Sequence, residues 1–170
     1  MNSSELRSVL TKCKIFKDYN TGVYAADTLP IHVGLPCAVI ANTDPKNKPG
    51  EHWVAFFIDR NGVCEFFDSF GEPPIIGHHK VFIKRNSYQC YYNNFPLQSP
   101  TSTVCGHYCL CFLYLKCMNV KSIKTHFTSD RHRNDSFVKC FASKIMNTNE
   151  KVYNKYDCII QTCTKRNLHK

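Results

Sequence analysis

The run Tyr108-Cys109-Leu110-Cys111-Phe112-Leu113-Tyr114-Leu115 has no polar face. An amphipathic surface helix needs a charged stripe, and a membrane span needs about 20 apolar residues, so neither fits. The run predicts a helix of about three turns buried in the core, with the rest of the chain wrapped around it. Cys105-Gly106 opens that helix, directly after the polar loop Gln98-Ser99-Pro100-Thr101-Ser102-Thr103. A cysteine at a helix N-terminus meets unpaired backbone N–H groups and the positive end of the dipole. Both favour the thiolate, the form that attacks a carbonyl carbon. Thr101, Ser102 and Thr103 are candidate caps for the same helix end.

Burial alone explains most cysteines, and this chain has eleven. A nucleophilic reading of Cys105 therefore requires a base, a group that orients the base and donors for an oxyanion. The odd number of cysteines and the lack of a charged-then-apolar leader predict free thiols in a reducing, intracellular compartment. Cys105, His107, Cys109 and Cys111 share one apolar helix with no second ligand pair and no C-x-x-C, which argues against structural zinc. A length of 170 residues predicts a single domain, 1–170. Lys and Arg number 22 against 13 Asp and Glu, a net charge of +9, which favours polyanions and nucleic acid among them. The alternative is that the charge serves only solubility.

Residues 4–13 predict a first helix, capped by Ser3 or Ser4, with Leu6, Val9, Leu10 and Cys13 on one face. Residues 18–36 read as loop and irregular chain, and 37–41 as a buried strand. The runs 52–58 and 63–68 flank Asn61-Gly62 and predict a hairpin. A three-residue loop with Gly62 left-handed pairs Asp59 with Val63 and Val54 with Asp68. His52 and Asp68 then become diagonal neighbours on one face. A four-residue loop puts them on opposite faces, so register decides whether the hairpin carries chemistry. Residues 80–84 predict a further strand, 120–127 a short helix and 134–146 a longer one with Ser129 or Asp130 as cap. Residues 148–170 mix lysines with tyrosines and isoleucines, as either a docking segment or a flexible basic tail.

His52 is the base candidate, Asp68 the orienter, and the Gln98 amide an oxyanion donor beside the Cys105 backbone N–H. The bland alternatives are a structural histidine at a strand end, a turn-capping Asp and a solvated loop Gln. Together, His52-Trp53-Val54-Ala55-Phe56, Phe67-Asp68-Ser69-Phe70-Gly71, and Gln98 followed after six residues by Cys105-Gly106 resemble the adenovirus endopeptidase family, adenain. More distantly they resemble the ubiquitin-like-protein proteases. His107-Tyr108-Cys109 is similar to the continuation in adenain-like proteases of virus-like DNA transposons. The similarity runs from about residue 35 to 115. Asp68 stands where adenoviral members have glutamate, and the segment before Gln98 is shorter than theirs.

The resemblance implies an α+β fold, with a mixed, largely antiparallel central sheet flanked by helices. It implies a thiol endopeptidase maturing capsid or core precursor proteins of a virus or virus-like element, located in the host nucleus or the virion. Catalysis by His52, Asp68, Gln98 and Cys105 needs no cofactor. A cut after glycine-containing sites, with Trp53 as a wall of the substrate groove, also follows from it, as do an activating peptide near Cys90, DNA as a further activator and a monomeric state without a membrane partner. Two other readings share these features: a deconjugating protease for ubiquitin-like modifiers, and a basic nucleic-acid-binding protein that retains the fold without the chemistry.

Overall fold

The computed structural model describes residues 1–147, so the expected basic tail lies outside the described residues. Nine elements succeed one another: α1 (Ser3–Lys12), β1 (Asn20–Tyr24), β2 (Cys37–Asn42), β3 (Trp53–Ile58), β4 (Val63–Phe67), α2 (Gly77–Asn86), β5 (Gln89–Tyr92), α3 (Cys105–Cys117) and α4 (Arg131–Asn147). Short 3₁₀ turns lie between them, including Ile123–His126, where a short helix is expected. The strands form one mixed sheet in the order β1-β2-β3-β4-β5. The central pairs β2–β3 and β3–β4 are antiparallel, and the outer pairs β1–β2 and β4–β5 are parallel.

Alternation along the central strands divides the molecule into two layers. Ala38, Ile40, Ala55, Phe57 and Phe67 face a core shared with α1, α3 and α4. Cys37, Val39, Val54, Phe56, Ile58, Cys64 and Phe66 face a smaller core closed by Phe82 of α2. Because β2 is covered on both sides, all six of its residues are buried. Helix α3 is buried almost throughout, as its unbroken apolar run requires. Phe112 stacks on Phe67 with ring centroids 4.7 Å apart and an interplanar angle of 9°, joining the helix to the sheet.

Three local expectations are corrected. Residues 80–84 lie in helix α2, not in a strand. The β-rich triplet Val81-Phe82-Ile83 suggests a strand, but burial falls on His79 and Phe82, three residues apart, and leaves Val81 exposed. A parallel β4–β5 pair also needs a crossover element, which α2 supplies. Residues 20–24, read as loop, form the edge strand β1, where only Val23 is buried and the period-2 signal is lost. The cap of α1 is Asn2: its Oδ1 accepts from Glu5 N at 2.9 Å while Glu5 Oε2 accepts from Asn2 N at 2.8 Å, a reciprocal capping box. Asp130 holds the start of α4 through Arg133 N, as one of its two expected caps.

Candidate active site

The hairpin takes the three-residue loop. Ile58 pairs with Cys64 and Ala55 with Phe67, the register that sets Val54 opposite Asp68. Asp59 N donates to Val63 O at 3.0 Å and Gly62 N to Asp59 O at 3.1 Å. Gly62 adopts φ +78, a left-handed conformation open to glycine at no steric cost. The consequence is chemical. His52 Nε2 lies 2.9 Å from Asp68 Oδ1, with both side chains largely buried.

Asp68 is itself held from several sides. Its Oδ1 also accepts from Phe70 N at 2.7 Å. The Asn93 amide reads its backbone in both directions: Asp68 N donates to Asn93 Oδ1 at 2.9 Å, and Asn93 Nδ2 donates to Asp68 O at 2.6 Å. Asn93 thus continues the β4–β5 ladder by side chain where β5 has ended. The Phe70 ring packs 5.0 Å from the His52 ring, fixing its tilt.

Cys105 comes from the opposite layer, as the first residue of α3. Its thiol faces the His52 side chain, close enough for hydrogen-bonding and charge interactions between them. With Nε2 engaged by Asp68, Nδ1 is the ring nitrogen left for the sulfur. Burial raises the Cys105 pKa, but the His52 hydrogen bond, the backbone N–H groups of Trp53 and Gly106 and the His52 charge together bring it below the usual thiol value. Burial also opposes the His52 cation, yet the hydrogen bonds and charges of Asp68 and Cys105 override it and raise His52 to about 9. Each partner therefore favours the ionised form of the other.

Thr101, Ser102 and Thr103 do not cap α3. Val104 occupies the cap position without a side-chain bond, and Ser102 Oγ is buried with no partner. The Thr101–Thr103 segment therefore leaves the first N–H groups of this helix end to the Cys105 sulfur. Gln98 is buried, not solvated. Its Oε1 accepts from Ser69 Oγ and its Nε2 donates to Ser102 O, both at 2.7 Å.

Trp53 is half-buried, with Nε1 donating to Met1 O at 3.2 Å. A Cβ on Gly106 would stand 3.4 Å from Trp53 Cδ1 and 3.3 Å from Met1 Cβ, so glycine lets the indole close against the start of α3. Cys90 lies on β5 opposite Cys64, and the two thiols hydrogen-bond to each other, which lowers the Cys90 pKa. It belongs to the far edge of the sheet, not to the Cys105 cluster. Among the described residues, nine cysteines stand outside any disulfide and no three His, Cys, Asp or Glu side chains gather closely enough to hold a metal ion. No described helix is long and apolar enough to cross a membrane.

Five residues of the cluster's support escape sequence reasoning: Ser69, Asn93, Tyr108, Asn134 and Asp135. Tyr108 carries the only local signal, since a buried phenol needs a partner. Its hydroxyl lies 2.9 Å from both Leu97 O and Asp135 Oδ1. Asp135 also accepts from Ser99 N at 3.3 Å, and Asn134 Nδ2 donates to Leu97 O at 3.3 Å.

No family model matches the chain. Over 121 residues it is 30% identical to a cysteine protease of African swine fever virus from a Malawi tick isolate, covering 63% of this chain and 44% of that protein. The chain is homologous to viral cysteine proteases. A protein named SUMO-1 cysteine protease, from a Kenyan pig isolate of the same virus, is 29% identical over 121 residues with the same shares. A crystal structure of the selenomethionine form of the African swine fever virus protease aligns with a TM-score of 0.41 and 26% identity, over 67% of this chain and 46% of that one. The chain spans less than half the length of these relatives.

Proposed function

We propose that the chain is a cysteine endopeptidase. The observation that carries this reading is the continuous chain Asp68–His52–Cys105, in which a buried carboxylate orients a raised-pKa imidazole against a lowered-pKa thiol. Cys105 as thiolate attacks the scissile carbonyl carbon, and the carbonyl electron pair moves onto oxygen. The Gln98 amide and the Cys105 backbone N–H stabilise that oxyanion. As the intermediate collapses, the His52 imidazolium gives its proton to the leaving amine, leaving a thioester. Neutral His52 then takes a proton from water, the resulting hydroxide attacks the thioester, and Cys105 departs as thiolate beside a recharged His52.

The substrates in this reading are precursor proteins of a virus or virus-like element, cut after glycine-containing sites. The viral relatives support the first part, and the close approach of Trp53 to Gly106 supports a groove that rejects side chains. A second reading is deconjugation of a ubiquitin-like modifier, favoured by the name of the Kenyan-isolate relative.

The test is cleavage of a peptide library varied at the residues before the cut, in parallel with a SUMO-1 conjugate, using wild type and Cys105→Ala. Each is run with and without duplex DNA, because the +9 charge supports a polyanionic effector. Cleavage of glycine-containing peptides, lost in Cys105→Ala, is the expected result. Release of SUMO-1 without peptide cleavage would transfer the assignment to the second reading. DNA binding with neither activity would overturn both.

A further inference from the structure

The Gln98 amide can serve an oxyanion only if its NH₂ end, not its carbonyl end, is presented. The two ends have similar shape, so something must choose between them. One group does, and a second holds the choice. Ser102 O is a carbonyl and can only accept, so the end 2.7 Å away from it must be Nε2. Ser69 Oγ–H donates to the opposite end, Oε1, at 2.7 Å. Reversing the amide would set two carbonyl oxygens against each other at one end. At the other, the Ser69 hydroxyl can accept as well as donate, so it holds the orientation that Ser102 O selects without selecting it.

Ser69 grips the same residue a second time. Its backbone carbonyl accepts from Gln98 N at 3.0 Å and from Leu97 N at 2.9 Å. Ser69 is fully buried and Gln98 is 1% exposed, so water does not replace these bonds. Its place in the chain adds meaning. Ser69 directly follows Asp68, so one turn holds both the carboxylate that orients His52 and the hydroxyl that meets Gln98.

We propose that Ser69 is a positioning residue for the reaction: its hydroxyl fixes Gln98 Oε1, which leaves one Nε2 hydrogen on Ser102 O and the other for the acyl oxygen at Cys105. This rests on the endopeptidase reading. Ser69 touches no reacting atom and acts through Gln98 alone.

Two probes separate this role from mere packing. Iodoacetamide alkylates a thiolate by displacing iodide, and no negative charge develops on an acyl oxygen. A peptide aldehyde ending in glycinal adds to the same thiolate, the C–O π pair moves onto oxygen, and the adduct needs the oxyanion donors. In Ser69→Ala, Cys105 alkylation should stay within about twofold of wild type while aldehyde affinity falls about tenfold or more. Gln98→Ala should lose on the order of 10²-fold in aldehyde affinity. The double variant should lose no more than Gln98→Ala alone, because the Ser69 effect passes through that amide. Ser69→Thr, which keeps the hydroxyl, should recover part of the loss.

Unchanged aldehyde affinity in Ser69→Ala would overturn the positioning role, as would losses that multiply in the double variant. A fall in alkylation equal to the fall in aldehyde affinity would point to general damage and also overturn it. If wild-type Cys105 alkylates no faster than the other thiols, the endopeptidase reading itself fails, and the positioning role falls with it. That failure is visible in wild type, before any Ser69 variant is compared.

Discussion

Cys105 and Cys109 stand one turn apart on the same helix and meet opposite surroundings. Cys105 is at the end of α3, where His52 and two backbone N–H groups reach its sulfur and bring its pKa down. Cys109 is sealed in the core, where burial first, and then the charges of Cys105 and Asp68, push its thiol well above the usual value. The difference between the proposed nucleophile and a packing residue is therefore not one of residue type or element. It comes from a helix end without a side-chain cap, aimed at the His52–Asp68 pair of a hairpin. His52 and His79 repeat the lesson. Both are largely buried, but His52 faces a carboxylate and a thiol, whereas His79 Nε2 meets the Asn42 carbonyl at 3.0 Å and burial takes it down to about 4.

The sharpest break in this comparison is removal of each sulfur. Cys105→Ala should lower peptide hydrolysis by about 10⁴-fold or more, read as kcat/KM on a cleaved library peptide. Cys109→Ala should leave that rate within about twofold and cost about 1 kcal/mol of stability by denaturant unfolding, the scale of a small core deletion. Similar rate losses in both would mean that the helix-end environment is not what matters.

His52→Ala should slow Cys105 alkylation at neutral pH by about 10²-fold, because the thiolate loses its counter-charge. The rate should recover as pH is raised through the ordinary thiol range. A variant that alkylates like wild type at neutral pH would detach the base from the nucleophile.

The pH dependence follows from the same pair. Hydrolysis should rise as Cys105 ionises, below the usual thiol range, and fall as His52 loses its proton through about 9. Stability changes in opposite senses at the two histidines. His52 is raised, so its contribution is full below the ordinary imidazole pKa and lost as pH climbs through about 9. His79 is lowered, so the unfolded chain takes the proton first and stability drains as pH falls from the ordinary imidazole value towards about 4. Replacing His79 by Gln should flatten that acid limb, removing on the order of 3 kcal/mol of pH dependence in urea midpoints measured across the window.

How much of this was legible depends on how far each feature reaches along the chain. The hairpin register is written locally, in Asn61-Gly62 between two β-rich runs, and it brought His52 to Asp68. Helix α3 announces itself by its unbroken apolar run. Helix α2 is misread because Val81, Phe82 and Ile83 favour strand, while the buried pair His79 and Phe82 obeys a helical spacing set by packing on Phe56. Strand β1 is an edge with one buried residue and so has almost no pattern to read. Ser69 and Asn93 are invisible for a different reason. Their roles exist only once loops 29 and 25 residues away fold back onto them. The sequence also suggests a cap for α3 at Thr101 to Thr103, the reverse of the open helix end the chain adopts.

The smallest effect returns to the helix that holds both cysteines. Tyr108 lies between them, and its single hydroxyl proton is shared between two acceptors, Leu97 O and Asp135 Oδ1, beneath the Gln98 loop. Tyr108→Phe keeps the ring and removes only that link. Leu97 O would still accept from Asn134 Nδ2, and Asp135 Oδ1 from Ser99 N, so neither buried oxygen is stranded. The expected cost is therefore at the lower end for a lost buried hydrogen bond, about 1 kcal/mol in urea unfolding. Because Ser69 holds the opposite side of the same loop, aldehyde affinity should fall less than threefold, far less than in Ser69→Ala. A larger functional loss in Tyr108→Phe than in Ser69→Ala would move control of the Gln98 amide from the hairpin turn to α3 and α4. The N-terminal turn of α3 would then supply the nucleophile, and the turn behind it would hold the oxyanion donor.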